Sequence, residues 1–217
     1  MTARIHKLKM PIDKSGEFLK NTMDIFFQKI DLEKLEPDFR KKLTNAHDMT
    51  LTILSNTNSP VCFCHNDTQP GNTLKPTSTK KSSESSLFFI DYEYSAYNNR
   101  AFDAGNFFAE WIYNYEHTKE EGGYSANLDN YPSIESQKEY ARAYFEEING
   151  NVEVGEGEVL KFIEEARQFT LVSHCFWSIW CLINDNSEEF DYMHYANCRL
   201  DHFFKQNDIF NGLKVEK

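Results

Sequence analysis

The sequence has no hydrophobic run long enough to cross a membrane, and no segment of it looks like a secretory signal. Its most apolar stretch, residues 169–183, includes the polar residues Ser173, His174 and Ser178. A membrane-spanning helix needs about 20 mostly apolar residues, and the basic N-terminus has no apolar segment behind it. We therefore expect a cytoplasmic protein in which residues 169–183 form a buried helix.

Positive charge is also scarce. The chain has 23 Lys and Arg residues against 34 Asp and Glu residues, for a net charge of −11. Because nucleic-acid phosphates attract basic surfaces, this balance argues against a nucleic-acid partner. It is compatible with a cationic ligand, although acidity also serves solubility. The composition, 40% hydrophobic and 26% charged, is that of a globular protein, with a high aromatic share of 15%.

Cysteine is sparse and odd in number, with five residues in the chain. An odd count without a secretory signal favours reduced thiols over a disulfide framework. The run Cys62-Phe63-Cys64-His65 has the residue types of a zinc site, but no second pair follows at ligand spacing. We therefore interpret these cysteines as buried thiols.

Hydrophobic periodicity predicts a mostly helical chain with a small β element and no internal repeat. Short buried strands are predicted at residues 61–64 and 87–90, with a polar loop over residues 65–72. The Ser/Thr/Lys-rich residues 75–86 are predicted to be an exposed connection. The predicted helices run from Pro37 to Leu54, from Phe102 to Trp111, from Ile134 to Ile148, from Val159 to Trp180, and from a cap at Ser187 through Phe190 to Phe204.

Two acidic residues stand where the two short strands end. Asp67 lies five residues before Asn72, and Asp91 follows the second strand, 24 residues after Asp67. Protein kinases use this offset for an Asp that deprotonates the acceptor hydroxyl and an Asn that binds Mg²⁺, followed by a second metal-binding Asp. Because Asn, Asp, Pro and Gly also favour turns, the spacing alone leaves a plain turn as the alternative. The two strands ending in Asp favour phosphoryl transfer.

Four segments of the chain resemble the choline/ethanolamine kinase family, in the same order, and the likeness runs from Ala3 to about Phe204. The segments are HNDTQPGN, FFIDYEYSAYNNRAFDAGNFFAEWIYNY, SHCFWSIW and FDYMHYA. The resemblance implies an α+β, protein-kinase-like lobe, mostly helical, in which a small β-hairpin element carries the catalytic and metal loops. It also implies phosphate transfer from Mg-ATP to choline or ethanolamine in phospholipid biosynthesis, and a homodimer or a heterodimer with a family member.

The resemblance assigns roles to residues of the polar loop. It implies that Asp67 is the catalytic base, that Asn72 and Asp91 bind Mg²⁺, and that Gln69 lies near the substrate, with ATP as co-substrate. The residues implied to support this site are His65 and Asp103.

The resemblance also implies an aromatic choline pocket. A quaternary ammonium cannot donate hydrogen bonds, so recognition depends on aromatic rings and a nearby carboxylate. Trp177 and Trp180 are three residues apart and share a helix face; without the resemblance, both would be interpreted as core residues. Glu110 is expected to supply the balancing charge. The remaining pocket residues are implied to be Tyr94, Tyr115, Phe190 and Tyr195.

The sequence departs from the family pattern in two ways. Protein-kinase-like enzymes place a glycine-rich loop and a lysine-bearing strand in an N-terminal lobe that clamps ATP, and neither precedes Asp67 here. We therefore expect residues 1–217 to form the C-terminal, catalytic and choline-binding lobe, with the N-terminal ATP-clamping lobe absent. The family's Phe after the metal-binding Asp is Tyr92 here, a conservative change.

Choline kinase is the predicted function, because Gln-Pro-Gly between Thr68 and Asn72 is more typical of choline kinases than of ethanolamine kinases. Ethanolamine kinase is the closest alternative. A third possibility is a truncated, non-catalytic family member that binds choline or pairs with a full-length subunit. A glycine-rich loop encoded upstream would separate the enzyme from the non-catalytic protein.

Overall fold

The computed structural model of the protein describes residues 1–75, 87–117, 123–150, 152–184 and 190–213. Within these ranges, the structure consists of α-helices and three two-stranded antiparallel sheets, which confirms the mostly helical α+β class predicted from the sequence. The helices are α1 (Thr2–His6), α2 (Phe18–Phe27), α3 (Pro37–Asn56), α4 (Ala101–Glu110), α5 (Ile134–Ile148), α6 (Glu156–Ile183) and α7 (Tyr192–Leu213). The strands are β1 (Val61–Cys64), β2 (Thr73–Leu74), β3 (Phe88–Phe89), β4 (Ala96–Asn99), β5 (Tyr113–Asn114) and β6 (Ser125–Ala126).

Helix α6 is the centre of the helical core. Helices α2, α3, α4, α5 and α7 all pack against it, and every residue from 169 to 179 is buried. A helix that is apolar around most of its circumference must be buried on all sides, so the buried helix expected from the sequence is confirmed. Among the described helices, none is both long and apolar enough to cross a membrane.

Helix α4 lies directly on the backbone of α6, and a glycine makes this possible. A Cβ atom on Gly105 would stand 2.6 Å from backbone atoms of Phe169 and Thr170, which is closer than Cβ atoms come in real proteins. The Thr170 hydroxyl also donates a hydrogen bond to the Gly105 carbonyl at 3.2 Å. This contact fixes the position of α4 against the core.

The predicted helix boundaries agree closely with the structure. Helix α3 begins with Pro37 in its first turn, where a missing N–H costs nothing, and the Ser133 hydroxyl caps α5 by accepting from Ser136 N at 3.2 Å. The last helix is an exception, because α7 begins at Tyr192 and Phe190 precedes it. The cap predicted at residue 187 lies outside the described residues.

Strand β1 has the predicted bounds and pairs antiparallel with β4, so that Cys64 faces Ala96 across the ladder. The second predicted strand is shorter than expected: β3 has two residues and pairs with the equally short β2, Thr73 opposite Phe89. The prediction that this strand is buried was wrong. Only one face packs on the protein, through Phe89, while Leu87, Phe88 and Ile90 are exposed. Residues 76–86, predicted to be an exposed connection, lie outside the described residues.

Candidate functional site

The polar loop that follows β1 is held in a single conformation by side-chain amides. Asn66 has a φ of 66°, a left-handed conformation that Asn tolerates better than most residues. Its Nδ2 donates to the Tyr94 carbonyl at 2.9 Å, and its Oδ1 accepts from Asn98 Nδ2 at 2.8 Å. The turn that presents Asp67 is therefore bonded to the segment that precedes β4 and to β4 itself.

Asp103, in the first turn of α4, anchors the same loop from behind. Its carboxylate is fully buried and accepts from His65 N at 2.9 Å and from Asn66 N at 2.7 Å. The His6 ring binds the same carboxylate through Nε2 at 3.0 Å. Although burial opposes a charged ring, the hydrogen bond to Asp103 raises the pKa of His6 to about 9. The buried carboxylate is therefore neutralised within the protein, as a buried charge requires.

His65 connects the two acidic segments. Its Nδ1 accepts from Asp67 N at 3.2 Å, so the proton of the neutral ring is on Nε2, which donates to the Ile90 carbonyl at 3.0 Å. The ring centre also lies 4.8 Å from that of Tyr92. The buried His65 ring thus bridges the loop that carries Asp67 and the turn that carries Asp91.

Asp67 is largely buried, with 8% of its surface exposed. Its Oδ2 accepts from Asn72 Nδ2 at 2.7 Å and from Gln69 Nε2 at 3.3 Å. Burial raises the pKa of Asp67 to about 6; the hydrogen bond from Gln69 opposes this rise and the charge of Glu110 adds to it. The carboxylate is therefore ionised at neutral pH yet more basic than an exposed one, which suits a general base.

Asn72 and Asp91 are brought together by the β2–β3 hairpin. The Asn72 carbonyl accepts from Ile90 N at 3.0 Å, and Asp91 follows directly, exposed and with a left-handed φ of 62°. Since the Asn72 NH₂ group donates to Asp67, the amide oxygen points elsewhere. An amide oxygen and a carboxylate are the oxygen ligands that Mg²⁺ prefers, so the residues fit a magnesium ion.

One cavity of about 580 Å³ joins the acidic segments to helices α6 and α7, a size typical of small-molecule sites. Three predicted site residues, His65, Asn72 and Asp103, are not in its lining and act on it through hydrogen bonds to the loop. The ten others line it: Asp67, Gln69, Asp91, Tyr94, Glu110, Tyr115, Trp177, Trp180, Phe190 and Tyr195.

The aromatic wall of the cavity is a set of rings in edge-to-face contact. The ring centres of Trp177 and Trp180 lie 5.8 Å apart at an interplanar angle of 71°, and Tyr94 stands edge-on to Trp177 at 5.5 Å. Trp180 Nε1 donates to the Tyr94 hydroxyl at 2.7 Å. Phe190 continues the wall, 5.2 Å from Tyr195. Edge-to-face packing leaves ring faces available to a cation.

Arg199 is a buried cation in this wall that the sequence analysis did not identify. It forms an ion pair with Glu110, and both side chains are at most 3% exposed. Arg199 Nε also donates to the Tyr195 hydroxyl at 2.8 Å, and the guanidinium lies 4.5 Å from the Tyr113 ring centre. Glu110 is therefore paired with a cation of the protein itself, and its part in balancing the charge of a ligand stays a prediction.

The side chains of Asp103, Asn106 and Glu110 form one polar face of α4, at successive spacings of three and four residues. Asn106 is its midpoint, and sequence analysis missed it too. Its Oδ1 accepts from Trp177 Nε1 at 2.8 Å, and its Nδ2 donates to the Thr68 hydroxyl at 3.3 Å. Helix α4 therefore connects the loop that carries Asp67 to the aromatic wall.

Comparison with known proteins identifies relatives. A family model described as choline/ethanolamine kinase matches residues 1–204. Choline kinase alpha of Mus musculus is 33% identical over 94% of this chain and 48% of its own length. Ethanolamine kinase 1 of Homo sapiens is 34% identical over 98% of this chain and 48% of its own length. The chain spans about half the length of the curated relatives it matches.

A solved structure of similar fold is that of choline kinase from Cryptosporidium parvum Iowa II. It superposes with a TM-score of 0.81 at 22% sequence identity, covering 99% of this chain and 64% of the other. At that identity the likeness shows the fold alone. It confirms the protein-kinase-like fold expected from the sequence.

Proposed function

The chain belongs to the choline/ethanolamine kinase family, and we propose that it binds choline and provides the acceptor and metal-binding residues for its phosphorylation. The reaction transfers the γ-phosphate of Mg-ATP to the choline hydroxyl, giving phosphocholine and ADP. The observation that supports this most directly is that one cavity has carboxylates at one end and an aromatic cage at the other.

The aromatic end suits the quaternary ammonium of choline. That group has no hydrogen to donate, so it gains most from ring faces and from carboxylates at longer range. Trp180 and Tyr94 supply rings, and their mutual hydrogen bond at 2.7 Å holds them in place. Because Arg199 neutralises Glu110, we propose that Asp67 and Glu93, which also line the cavity, balance the positive charge.

The acidic end suits the hydroxyl. We propose that Asp67 orients this hydroxyl and accepts its proton as the oxygen attacks the γ-phosphate. Gln69 and Asn72 hold the carboxylate through their amides, so one oxygen is fixed while the other faces the substrate. Asn72 and Asp91 would hold Mg²⁺, which would neutralise charge on the phosphates.

Ethanolamine is the alternative acceptor. Ethanolamine kinase 1 is as similar to this chain as choline kinase alpha. A primary ammonium donates hydrogen bonds, and the cavity offers acceptors in Asp67 and Glu93. We propose choline as the preferred ligand because the aromatic wall gives a quaternary ammonium contacts that need no donor.

Binding tests the proposal without requiring turnover. Trp177 and Trp180 line the cavity, so tryptophan fluorescence should change when the 217-residue chain is titrated with choline. We expect choline to bind more tightly than ethanolamine, and both more tightly than a neutral isostere with carbon in place of the charged nitrogen. Equal affinity for choline and this isostere would contradict the choline proposal.

Phosphoryl transfer is assayed in the same preparation with Mg-ATP, by measuring phosphocholine. Asp91→Ala should remove Mg²⁺-dependent turnover and leave the choline fluorescence response intact. A matched control is Asp208→Asn, on the exposed side of α7, which should change neither. Unchanged Mg²⁺ dependence in Asp91→Ala would refute the metal assignment.

A further inference from the structure

Three potential soft-metal ligands meet behind the catalytic loop, outside the cavity. One ligand atom each from His6, Cys62 and Cys64 lies within 4.8 Å of the other two. His6 ends helix α1, which packs on β1, and Cys62 and Cys64 are alternate residues of β1, so their side chains share one face of the strand. The chain thus brings two thiols and an imidazole together from segments 56 residues apart.

The separation of the sulfur atoms fits a metal better than a disulfide. Cys62 Sγ and Cys64 Sγ are 3.7 Å apart. Two thiolates on a tetrahedral Zn²⁺, each about 2.3 Å from the ion, stand roughly 3.8 Å from each other. A disulfide requires about 2.05 Å, so the strand would have to distort to close one. The sulfur pair needs no such movement to bind a zinc ion.

The imidazole has the supporting contact that metal-bound histidines usually have. His6 Nε2 is paired with the Asp103 carboxylate at 3.0 Å, and Nδ1 with the Tyr144 hydroxyl at 2.9 Å. Coordination requires the ring, which is protonated beside Asp103, to release one proton to solvent. The metal bond then replaces one of these hydrogen bonds, while the other continues to orient the ring. A carboxylate or other acceptor behind a ligand histidine fixes the ring and raises its basicity.

The two thiols differ in ways that favour binding from the solvent side. Cys62 is half-buried, so a metal ion can reach its sulfur from solvent, and the thiolate is the form that binds metals. Cys64 is fully buried and donates to the Asn98 carbonyl at 3.5 Å. Its proton must leave for solvent when a metal binds.

We propose that His6, Cys62 and Cys64 form a binding site for Zn²⁺, distinct from the magnesium ligands, with water on the Cys62 side as the fourth ligand. The site has a structural consequence for the loop. Cys64 directly precedes His65, and His6 shares Asp103 with the His65 backbone. A bound ion would therefore clamp the start of the catalytic loop.

Cadmium is a suitable probe, because thiolate-to-Cd²⁺ charge transfer absorbs in the ultraviolet. The full chain, kept reduced with a phosphine, should bind one Cd²⁺ per molecule, and Zn²⁺ should displace it. Loss of a partner of a ligand costs 10–100-fold in affinity, so loss of a ligand in Cys62→Ser should cost at least about 100-fold. The half-exposed position of Cys62 allows this variant to fold.

Cys198→Ser is the matched control. Cys198 is also half-buried and lies beside a histidine, its Sγ 4.0 Å from His202 Nδ1, but this contact includes no second sulfur. We expect Cys198→Ser to bind Cd²⁺ as wild type does. Zn²⁺ should also raise the melting temperature of wild type and of Cys198→Ser but not that of Cys62→Ser.

Two results would overturn the proposal. One is Cd²⁺ absorption that survives in Cys62→Ser or disappears equally in Cys198→Ser. The other is a protein that binds no Cd²⁺ when reduced and loses two alkylatable thiols on mild oxidation, which would make Cys62 and Cys64 a redox pair instead. None of these measurements involves choline or ATP, so the outcome is independent of the proposed kinase function.

Discussion

The two ends of the cavity are built from different interactions. At the acidic end, a carboxylate behind the loop binds backbone N–H groups, as Asp103 does with His65 and Asn66. At the aromatic end, side chains bind side chains, as in the ring contacts of Trp177 and Trp180 and the pairing of Glu110 with Arg199. The first arrangement fixes one reactive group in one position, while the second distributes ligand contacts over several rings. A single substitution should therefore cause a large loss of activity at the acidic end and only a partial loss of ligand affinity at the aromatic end.

The buried carboxylates of the two ends also differ in their partners. Asp67 accepts from neutral amides, and burial raises its pKa to about 6. Glu110 faces a guanidinium and the Tyr115 hydroxyl, the latter at 2.7 Å. Asp67 can therefore accept a proton near neutral pH. Glu110 instead links Arg199 to Tyr115 and so stabilises the aromatic wall.

The largest effect is expected for Asp67→Asn. This change keeps the size of the side chain and removes its basicity, so turnover should fall by about 10²–10⁴-fold. Choline should still bind, with weaker affinity, because Glu93 keeps its charge while that of Asp67 is lost. Phosphocholine formation and the choline fluorescence titration measure the two quantities. Near-normal turnover in a folded Asp67→Asn protein would contradict the proposal that Asp67 is the base.

Glu110→Gln should destabilise the fold, because it leaves the Arg199 charge buried without its partner. Breaking a buried ion pair from one side typically costs about 3–5 kcal/mol of unfolding free energy, measurable by denaturant titration. The exposed Glu146 provides the control, since Glu146→Gln should be neutral. A second change, Arg199→Met, should restore part of the stability in the double variant; additive losses would show that the pair does not act as a unit.

Trp180→Leu should weaken choline binding moderately. One desolvated cation–π contact is worth on the order of 2 kcal/mol, or roughly 30-fold in affinity, and Trp180→Phe should lose less because it keeps an aromatic face. Trp177 remains as the fluorescent reporter. Trp111, which is 53% exposed and outside the cavity lining, gives the control Trp111→Leu. Complete loss of choline binding in Trp180→Leu would contradict this expectation, because it would show that one substitution at the aromatic end has as large an effect as one at the acidic end.

The smallest effect is expected for His202, which packs behind the aromatic wall, and it concerns how the free energy of unfolding depends on pH. His202 binds the Tyr113 hydroxyl through Nδ1 at 2.9 Å, and burial, with Lys205 and Arg199 adding, lowers its pKa to about 4. A depressed histidine pKa stabilises the fold above the unfolded value of about 6.5 and loses that contribution as pH falls toward 4.

In His202→Gln, the loss of unfolding free energy between pH 7 and pH 4.5 should shrink by about 1 kcal/mol, after allowance for solvent screening. Denaturant titrations of both proteins at the two pH values measure the difference. Parallel stability profiles would show that His202 does not titrate in this range.

Local signals in the sequence predicted much of the fold. The bounds of β1, α3 and α5 follow from residue patterns and end signals within a few positions, such as Pro37 at the start of α3. The acidic loop was found from the five-residue offset between Asp67 and Asn72. The exposed face of β3 was not predicted, because an apolar run reads as buried whether or not a second layer covers it.

The interactions missed by the sequence analysis join residues far apart in the chain. Arg199 contacts Glu110 across 89 residues, and nothing near either residue indicates the other; the four-residue spacing from Tyr195 was the one available signal. The imidazole near Cys62 and Cys64 is His6, not the adjacent His65. Tertiary packing decides which of two histidines approaches the thiols, and spacing along the chain carries no information about that choice.

The polar face of α4 also bears on the length of the proposed acceptor, because it sets the distance between the two ends of the cavity. Asp103 and Glu110 are seven residues apart, about 10 Å along a helix that rises 1.5 Å per residue, and Gly105 presses this helix onto α6 without room to slide. The spacing between the anchored loop and the anchored wall is therefore a fixed length. Under the proposed function, we expect an acceptor with an added methylene between hydroxyl and ammonium to fit one end only, because α4 holds the two ends of the cavity at a constant distance.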